Sequence, residues 1–212
     1  MRLFYQITTI IFYLMAARHL EAQDTVFKSD APKATLIELY SSEGCSSCPP
    51  AEAWLSQLKT SPRLWHDLYP VAFHVDYWDG LGWPDRFARP AYTQRQRDYA
   101  ASLGQDSVYT PEFVIDGHEW RGWFKGDRTP PPPPGTSGEL SLTLKDQGKA
   151  AAVTYTPSAN PSDSYRANIA LLGLNITSDV QRGENQGSRL QHDFIVLDFV
   201  SKPMTPVTPG HF

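Results

Sequence analysis

Thr35-Leu36-Ile37-Glu38-Leu39-Tyr40-Ser41-Ser42-Glu43-Gly44-Cys45-Ser46-Ser47-Cys48-Pro49-Pro50-Ala51-Glu52-Ala53-Trp54-Leu55-Ser56-Gln57-Leu58 contains the only two cysteines of the chain. Thr35 to Tyr40 form an apolar run that reads as a buried strand, and Ala51 to Leu58 read as a helix. A Cys-x-x-Cys pair at a strand-to-helix junction has the spacing of a dithiol redox site. The first thiol then lies near a helix N-terminus, where unpaired N–H groups favour the thiolate. That makes Cys45 the nucleophile and Cys48 the resolving thiol. Pro49 and Pro50 lack N–H groups, so a tight turn is expected through the pair, with regular helix starting near Pro49. Two other readings stay open. The pair could be a static disulfide that stiffens the turn. It could also be part of a copper or zinc site, and since there is no second cysteine pair, His74 or Asp76 would then have to fold close.

With 212 residues and 41% hydrophobic content, the chain can build one larger domain with a small second one. A net charge of −4 supplies no basic field, so nucleic acid is not an expected partner. Leu3 to Ala17 are apolar behind Arg2 and too short for a membrane span. Residues 1–22 therefore read as a secretory signal peptide, cleaved after Ala17 or Ala22, and no stable membrane span is expected. Export, to the periplasm or outside the cell, would place the cysteines where a disulfide persists.

Downstream of the first helix, Tyr69 to Tyr77 read as a second strand, which makes a right-handed parallel βαβ unit. His74 and Asp76 alternate along it and are expected to share a face. A loop follows from Trp78 to Pro84, then a helix from Pro90 to Ala100 ending near Gly104. Phe113-Val114-Ile115 is a strand, Asp116-Gly117 a hairpin turn, and Glu119 to Phe124 the return strand. Pro111 immediately before this strand suggests a cis bond, against the commoner trans form. The five prolines from Pro130 to Pro134 read as an extended spacer. Beyond them, 140–144, 152–156, 165–174, 176–180 and 194–200 read as short strands of a small antiparallel sheet or half-sandwich.

The order strand, Cys-x-x-Cys, helix, strand, helix, Thr-Pro, hairpin resembles the thioredoxin fold. Three segments are closely similar to the motifs of an exported thioredoxin-like family known as domain of unknown function 1223: Glu38 to Glu52, Phe73 to Asp79, and Tyr109-Thr110-Pro111 with Val114 to Gly117. Arg182-Gly183-Glu184-Asn185, with Gly187 and Leu190, resemble a fourth motif. The resemblance implies an α/β, thioredoxin-like fold over 33–128, a proline-rich linker over 129–138 and a β-rich half-sandwich extension over 139–201. It implies that Thr110 and a cis Pro111 lie against the dithiol and help hold a substrate peptide. It also implies a buried carboxylate beneath the dithiol, a role for which Glu38 is the candidate although it stands one residue farther back than usual. Trp78 and Trp83 are candidates for the cleft wall. A thioredoxin-like domain also closes with a helix after the hairpin, which Gly126-Asp127-Arg128 and the proline run do not supply.

The expected function is thiol–disulfide exchange with protein thiols or disulfides, without a cofactor. Cys45, Cys48, Pro111 and Glu38 are the catalytic candidates, and Thr110 and Trp78 the substrate-binding ones. The rival readings are a binding module with a structural disulfide, and a copper- or zinc-handling protein using Cys45, Cys48 and His74.

Overall fold

The computed structural model describes residues 24–29, 33–132, 136, 138–158 and 164–206. The expected signal peptide lies outside them. Along the chain run β1 (Thr25–Lys28), β2 (Thr35–Ser41), α1 (Pro49–Gln57), β3 (Leu68–His74), α2 (Pro90–Ser102), β4 (Glu112–Ile115) and β5 (His118–Glu119). Then come β6 (Gly138–Lys145), β7 (Ala150–Pro157), β8 (Arg166–Gly173), β9 (Ile176–Asp179), β10 (Arg189–His192) and β11 (Ile195–Pro203). The fold is mixed α/β, mostly sheet with few helices. Among the described residues no helix is long and apolar enough to cross a membrane.

The central sheet has six strands in the order β5-β4-β2-β3-β11-β8. β2 and β3 are parallel, as a βαβ unit requires, and β4 runs antiparallel to β2. Asp116 and Gly117 take positive φ values of 49° and 83°, which closes the β4–β5 hairpin. The return strand is shorter than expected: it stops at Glu119, and Trp123–Lys125 form a single 3-10 turn. The Trp120 N–H still bonds the Phe113 carbonyl at 2.8 Å, and the side chains of Trp120 and Trp123 pack back onto the core. The Thr110–Pro111 peptide bond is cis.

Strand alternation divides the core in two. Toward α1 point Ile37, Leu39, Ala72, Phe113 and Ile115, packed with Trp54 and Leu55 of that helix. Trp54 meets Phe113 edge-on with ring centroids 5.1 Å apart. Burying side chains of this size contributes about 1.5–3 kcal/mol each. Toward α2 point Tyr40, Phe73 and Val114, packed with Tyr92. Glu38 and Glu112 share this second face and are buried. Arg95 of α2 grips Glu38 through two hydrogen bonds of 2.8 and 2.7 Å, and the hydroxyls of Tyr99 and Tyr40 donate to it at 2.8 and 2.9 Å. Four donors offset the cost of burying that charge.

The segment beyond the prolines does not form a self-contained half-sandwich. β8 and β11 extend the central sheet past β3, with β11 parallel to β3 and antiparallel to β8. β9 and β10 form a separate antiparallel pair, and β6 and β7 join β1 in a three-stranded sheet. The reason is the edge that β3 would otherwise expose, which the apolar Ile195 and Val196 cover from within the core. β1 and β10 are each four residues long and carry no clear apolar alternation, so neither was readable as a strand. The strand read from Tyr69 to Tyr77 ends at His74, and Asp76 turns away to accept a 2.6 Å hydrogen bond from Thr93.

Glu112 receives one hydrogen bond, 2.6 Å from the Gln96 amide. Burial pushes its carboxyl up to about 7 from an ordinary 4.5, outweighing that hydrogen bond. The folded state therefore keeps a proton that the unfolded state releases, and stability falls as pH rises from about 4.5 to about 7. Glu112→Gln removes this loss. Urea denaturation should show the variant gaining on wild type by roughly 2–3 kcal/mol between those limits, and parallel pH profiles would contradict it.

Candidate functional site

Cys45 and Cys48 form a disulfide with Cα atoms 5.4 Å apart. Cys48 is the N-cap of α1, and its carbonyl accepts the N–H groups of Ala51 and Glu52 at 2.9 and 3.1 Å. With prolines in the first two helical positions, few N–H groups are left to orphan there. The disulfide thus stands where β2 hands over to α1, at the carboxyl end of a parallel strand pair. Open α/β sheets place their sites at such ends.

Both cysteines are 0% exposed. Part of the cover is local. Trp78 packs on Gly44 so closely that a Cβ there would lie 3.0 Å from the Trp78 Cβ, and the Trp78 indole donates to Thr110 at 2.8 Å. Extending the β2–β4 register by one residue past Tyr40 and Glu112 sets Pro111 opposite Ser41. Trp78, Thr110 and Pro111 therefore gather around the turn that carries the cysteines.

The rest of the cover comes from the turn at 182–187. The Asn185 amide donates to the backbone carbonyls of Glu43 and Cys45, at 2.9 and 3.0 Å. The Glu184 carboxylate accepts the Ser46 N–H at 3.1 Å and its hydroxyl at 2.7 Å. Gly183 and Gly82 have positive φ values of 79° and 114°, and a Cβ on Gly82 would come within 3.4 Å of Gly183. Backbone meets backbone here because both residues lack side chains.

Glu38 does not lie under the disulfide. Side chains alternate across a strand, so the one-residue displacement noted in the sequence sends Glu38 to the α2 face, where Arg95 holds it. The carboxylate on the α1 side is Glu52, one helical turn after Cys48 and on the same helix face. It belongs to a buried group that sequence reasoning left unassigned: Glu43, Glu52, Asp85 and His192, joined to His74. His192 Nδ1 lies 2.5 Å from Glu52 and its Nε2 lies 3.1 Å from Glu43. His74 Nδ1 lies 2.6 Å from Asp85, and its Nε2 faces Glu52 at 3.6 Å. Ser41, the register partner of His74, donates its hydroxyl to Glu52. The Trp83 indole donates to Glu43 at 2.7 Å, and the Glu43 N–H donates to Asp85 at 2.8 Å.

Burial opposes charge on all five groups, yet their mutual pairing wins. His192 is pushed up to about 10 by Glu43 and Glu52, and His74 is raised by Asp85 and Glu52. Asp85 is pulled down to about 2, chiefly by His74, and Glu52 and Glu43 are lowered, with His192 a partner of both. Phe87 closes the pair of imidazoles edge-on, with centroids 5.8 Å from His74 and 5.4 Å from His192. The i, i+4 spacing of Cys48 and Glu52 was the one local signal of this group. Nothing near His192 announces partners some 140 residues earlier.

A family model described as protein of unknown function, DUF1223, matches residues 36–208, and the chain belongs to that family. No curated protein matches it. Among solved structures it is similar to a protein from Agrobacterium tumefaciens determined by X-ray crystallography. That similarity has 26% sequence identity and a TM-score of 0.55, and covers 82% of this chain and 78% of the other.

The 182–187 turn is bonded to the backbone on both sides of the Cys45 side chain. Replacing both Glu184 and Asn185 with alanine removes four hydrogen bonds, of which the buried Asn185 pair has a net value of about 1 kcal/mol each. Reduction of the disulfide by dithiothreitol, followed by alkylation and mass, should accelerate by roughly tenfold or more. An unchanged rate would mean that another element controls access.

Proposed function

We propose that this member of the family is an exported, thioredoxin-like protein that exchanges its Cys45–Cys48 disulfide with a protein partner, and that the structure is its closed, oxidised form. The observation that carries the reading is the position of the disulfide at the junction of β2 and α1, where the Ser47 hydroxyl lies 3.3 Å from the Cys45 sulfur and can donate to a released thiolate. The strand order β5-β4-β2-β3 with β4 antiparallel and the Thr110–Pro111 turn beside the dithiol support the thioredoxin-like part. The burial of both sulfurs requires the 182–187 turn to lift before a partner can reach them.

The exchange balances as two displacements. A partner thiolate attacks the Cys45 sulfur, the Cys45–Cys48 bond breaks, and the electron pair leaves on Cys48, which takes a proton. The partner's second thiolate then attacks the partner sulfur of the mixed disulfide and releases Cys45. The partner is oxidised to a disulfide, and this chain is reduced to a dithiol.

A second reading is favoured by the same burial: the disulfide is a permanent staple that holds the Glu43–Glu52 segment in place. Turnover separates the two. Wild type should catalyse oxidation of a dithiol peptide in glutathione buffer, reduced Cys48→Ala should accumulate a mixed disulfide on Cys45 when given the disulfide form of that peptide because the resolving thiol is gone, and Cys45→Ser should be inactive. If wild type turns over no faster than Cys45→Ser while reduction lowers its melting temperature, the staple reading replaces the exchange reading.

A further inference from the structure

We infer that Glu52, His74 and His192 form a binding site for a divalent first-row transition-metal cation of the zinc type, built from two imidazoles and one carboxylate and independent of the cysteines. One ligand atom from each residue lies within 4.8 Å of the other two, and all three residues are buried. The inference does not rest on the exchange reading, since it holds with the disulfide intact.

The arrangement of the outer nitrogens is what distinguishes this group from an ordinary buried ion cluster. His74 turns Nδ1 to Asp85 at 2.6 Å, and His192 turns Nε2 to Glu43 at 3.1 Å. Each carboxylate fixes its imidazole so that the other nitrogen, Nε2 of His74 and Nδ1 of His192, faces Glu52. A carboxylate behind each ligating histidine is the usual support of a metal centre, where it sets the tautomer and raises ligand basicity. Asp85 is itself held by the N–H groups of Glu43 and Phe87, at 2.8 and 2.9 Å, so the support is rigid.

The second observation is an orphan. His74 is 0% exposed and its Nε2 has no hydrogen-bond partner. If His74 is cationic, this nitrogen carries a buried N–H whose nearest carboxylate oxygen, on Glu52, is 3.6 Å away, beyond hydrogen-bonding range. Leaving such a group unpaired forfeits its hydration with nothing in return. If His74 is neutral, Nε2 presents a lone pair to the same space. A cation there accepts that lone pair and takes the place of the proton between His192 and Glu52.

The geometry asks for small adjustments. Zinc bonds of about 2.0–2.1 Å in a tetrahedron set ligand atoms roughly 3.3 Å apart. His74 Nε2 lies 3.6 Å from Glu52 Oε1, near that value, while His192 Nδ1 lies 2.5 Å from the other oxygen, Oε2, so the carboxylate must turn and that contact open once the shared proton leaves. Two nitrogens and one oxygen leave a fourth position for water or substrate, the pattern of an open rather than a closed site. A cleft of about 320 Å³ between α1 and β10, lined by Glu52, Ala53, Leu190 and Gln191 among others, reaches the Glu52 side of the site.

The test uses the oxidised, metal-stripped chain titrated with Co²⁺ and, in competition with a chromophoric chelator, with Zn²⁺. One equivalent per chain is expected, with a d–d spectrum of nitrogen and oxygen ligation and no sulfur-to-cobalt charge-transfer band. Zn²⁺ should raise the melting temperature. His74→Gln should weaken binding at least 100-fold. Asp85→Asn, which keeps the packing and loses only the support, should weaken it about 10- to 100-fold. A Cys45→Ala, Cys48→Ala double variant should bind as wild type does. The inference is overturned if oxidised wild type takes up no stoichiometric metal, if binding requires reduction of the disulfide, or if Asp85→Asn and His74→Gln both bind as wild type does.

Discussion

His192 between Glu43 and Glu52 is the interaction on which the rest of this architecture hangs. Glu43 and Glu52 flank the disulfide in sequence, and both are buried. Two carboxylates cannot be taken from water together without a compensating cation. The local chain offers none, since Lys59 is the first basic residue after them and it pairs with Asp193. His74 on β3 supplies part of the compensation for Glu52, and the rest arrives with His192 on β10, which faces both carboxylates and brings the C-terminal segment with it. The turn at 182–187 is thereby set over the cysteines, and the chain re-enters the central sheet as β11 immediately after His192. The electrostatic need of one short segment thus explains why sequence-distant strands complete the fold.

The same docking links the two chemical features. The turn that carries the cysteines is held by Asn185 and Glu184, which stand on the turn leading into β10. The histidine and carboxylate group lies below it on the α1 side of the sheet, with Glu52 common to the helix that carries Cys48. Opening the cover to let a partner reach Cys45 would disturb the frame that holds His192. One segment of backbone, from the 182–187 turn into β10, thus contacts both the turn that carries the cysteines and the buried imidazole pair.

Much of the α/β half was legible in the sequence because its signals are local. The apolar run of β2, the cysteine spacing, Pro90 at the start of α2 and Asp116-Gly117 at the hairpin each act within a few residues. The placement of Glu38 was misread because strand alternation is unforgiving: one position exchanges the α1 face for the α2 face. The C-terminal strands were found, apart from the four-residue β10, but their partners were not. Which sheet a strand joins depends on exposed edges elsewhere, and a single sequence does not display them. His192 was overlooked for the same reason, since its partners lie some 140 residues earlier. The fourth motif, Arg182 to Asn185, was visible as a pattern without a role, and its role is contact with the backbone around Cys45.

The most direct test of this dependence is a double-mutant cycle on Glu52→Gln and His192→Gln, read by urea denaturation of the oxidised, metal-free chain. If the buried pair anchors the C-terminal segment, each single variant loses several kcal/mol, and the double variant loses less than the sum by roughly 2 kcal/mol or more. Additivity within about 0.5 kcal/mol would contradict it, and would mean that β10 is held to α1 by packing alone.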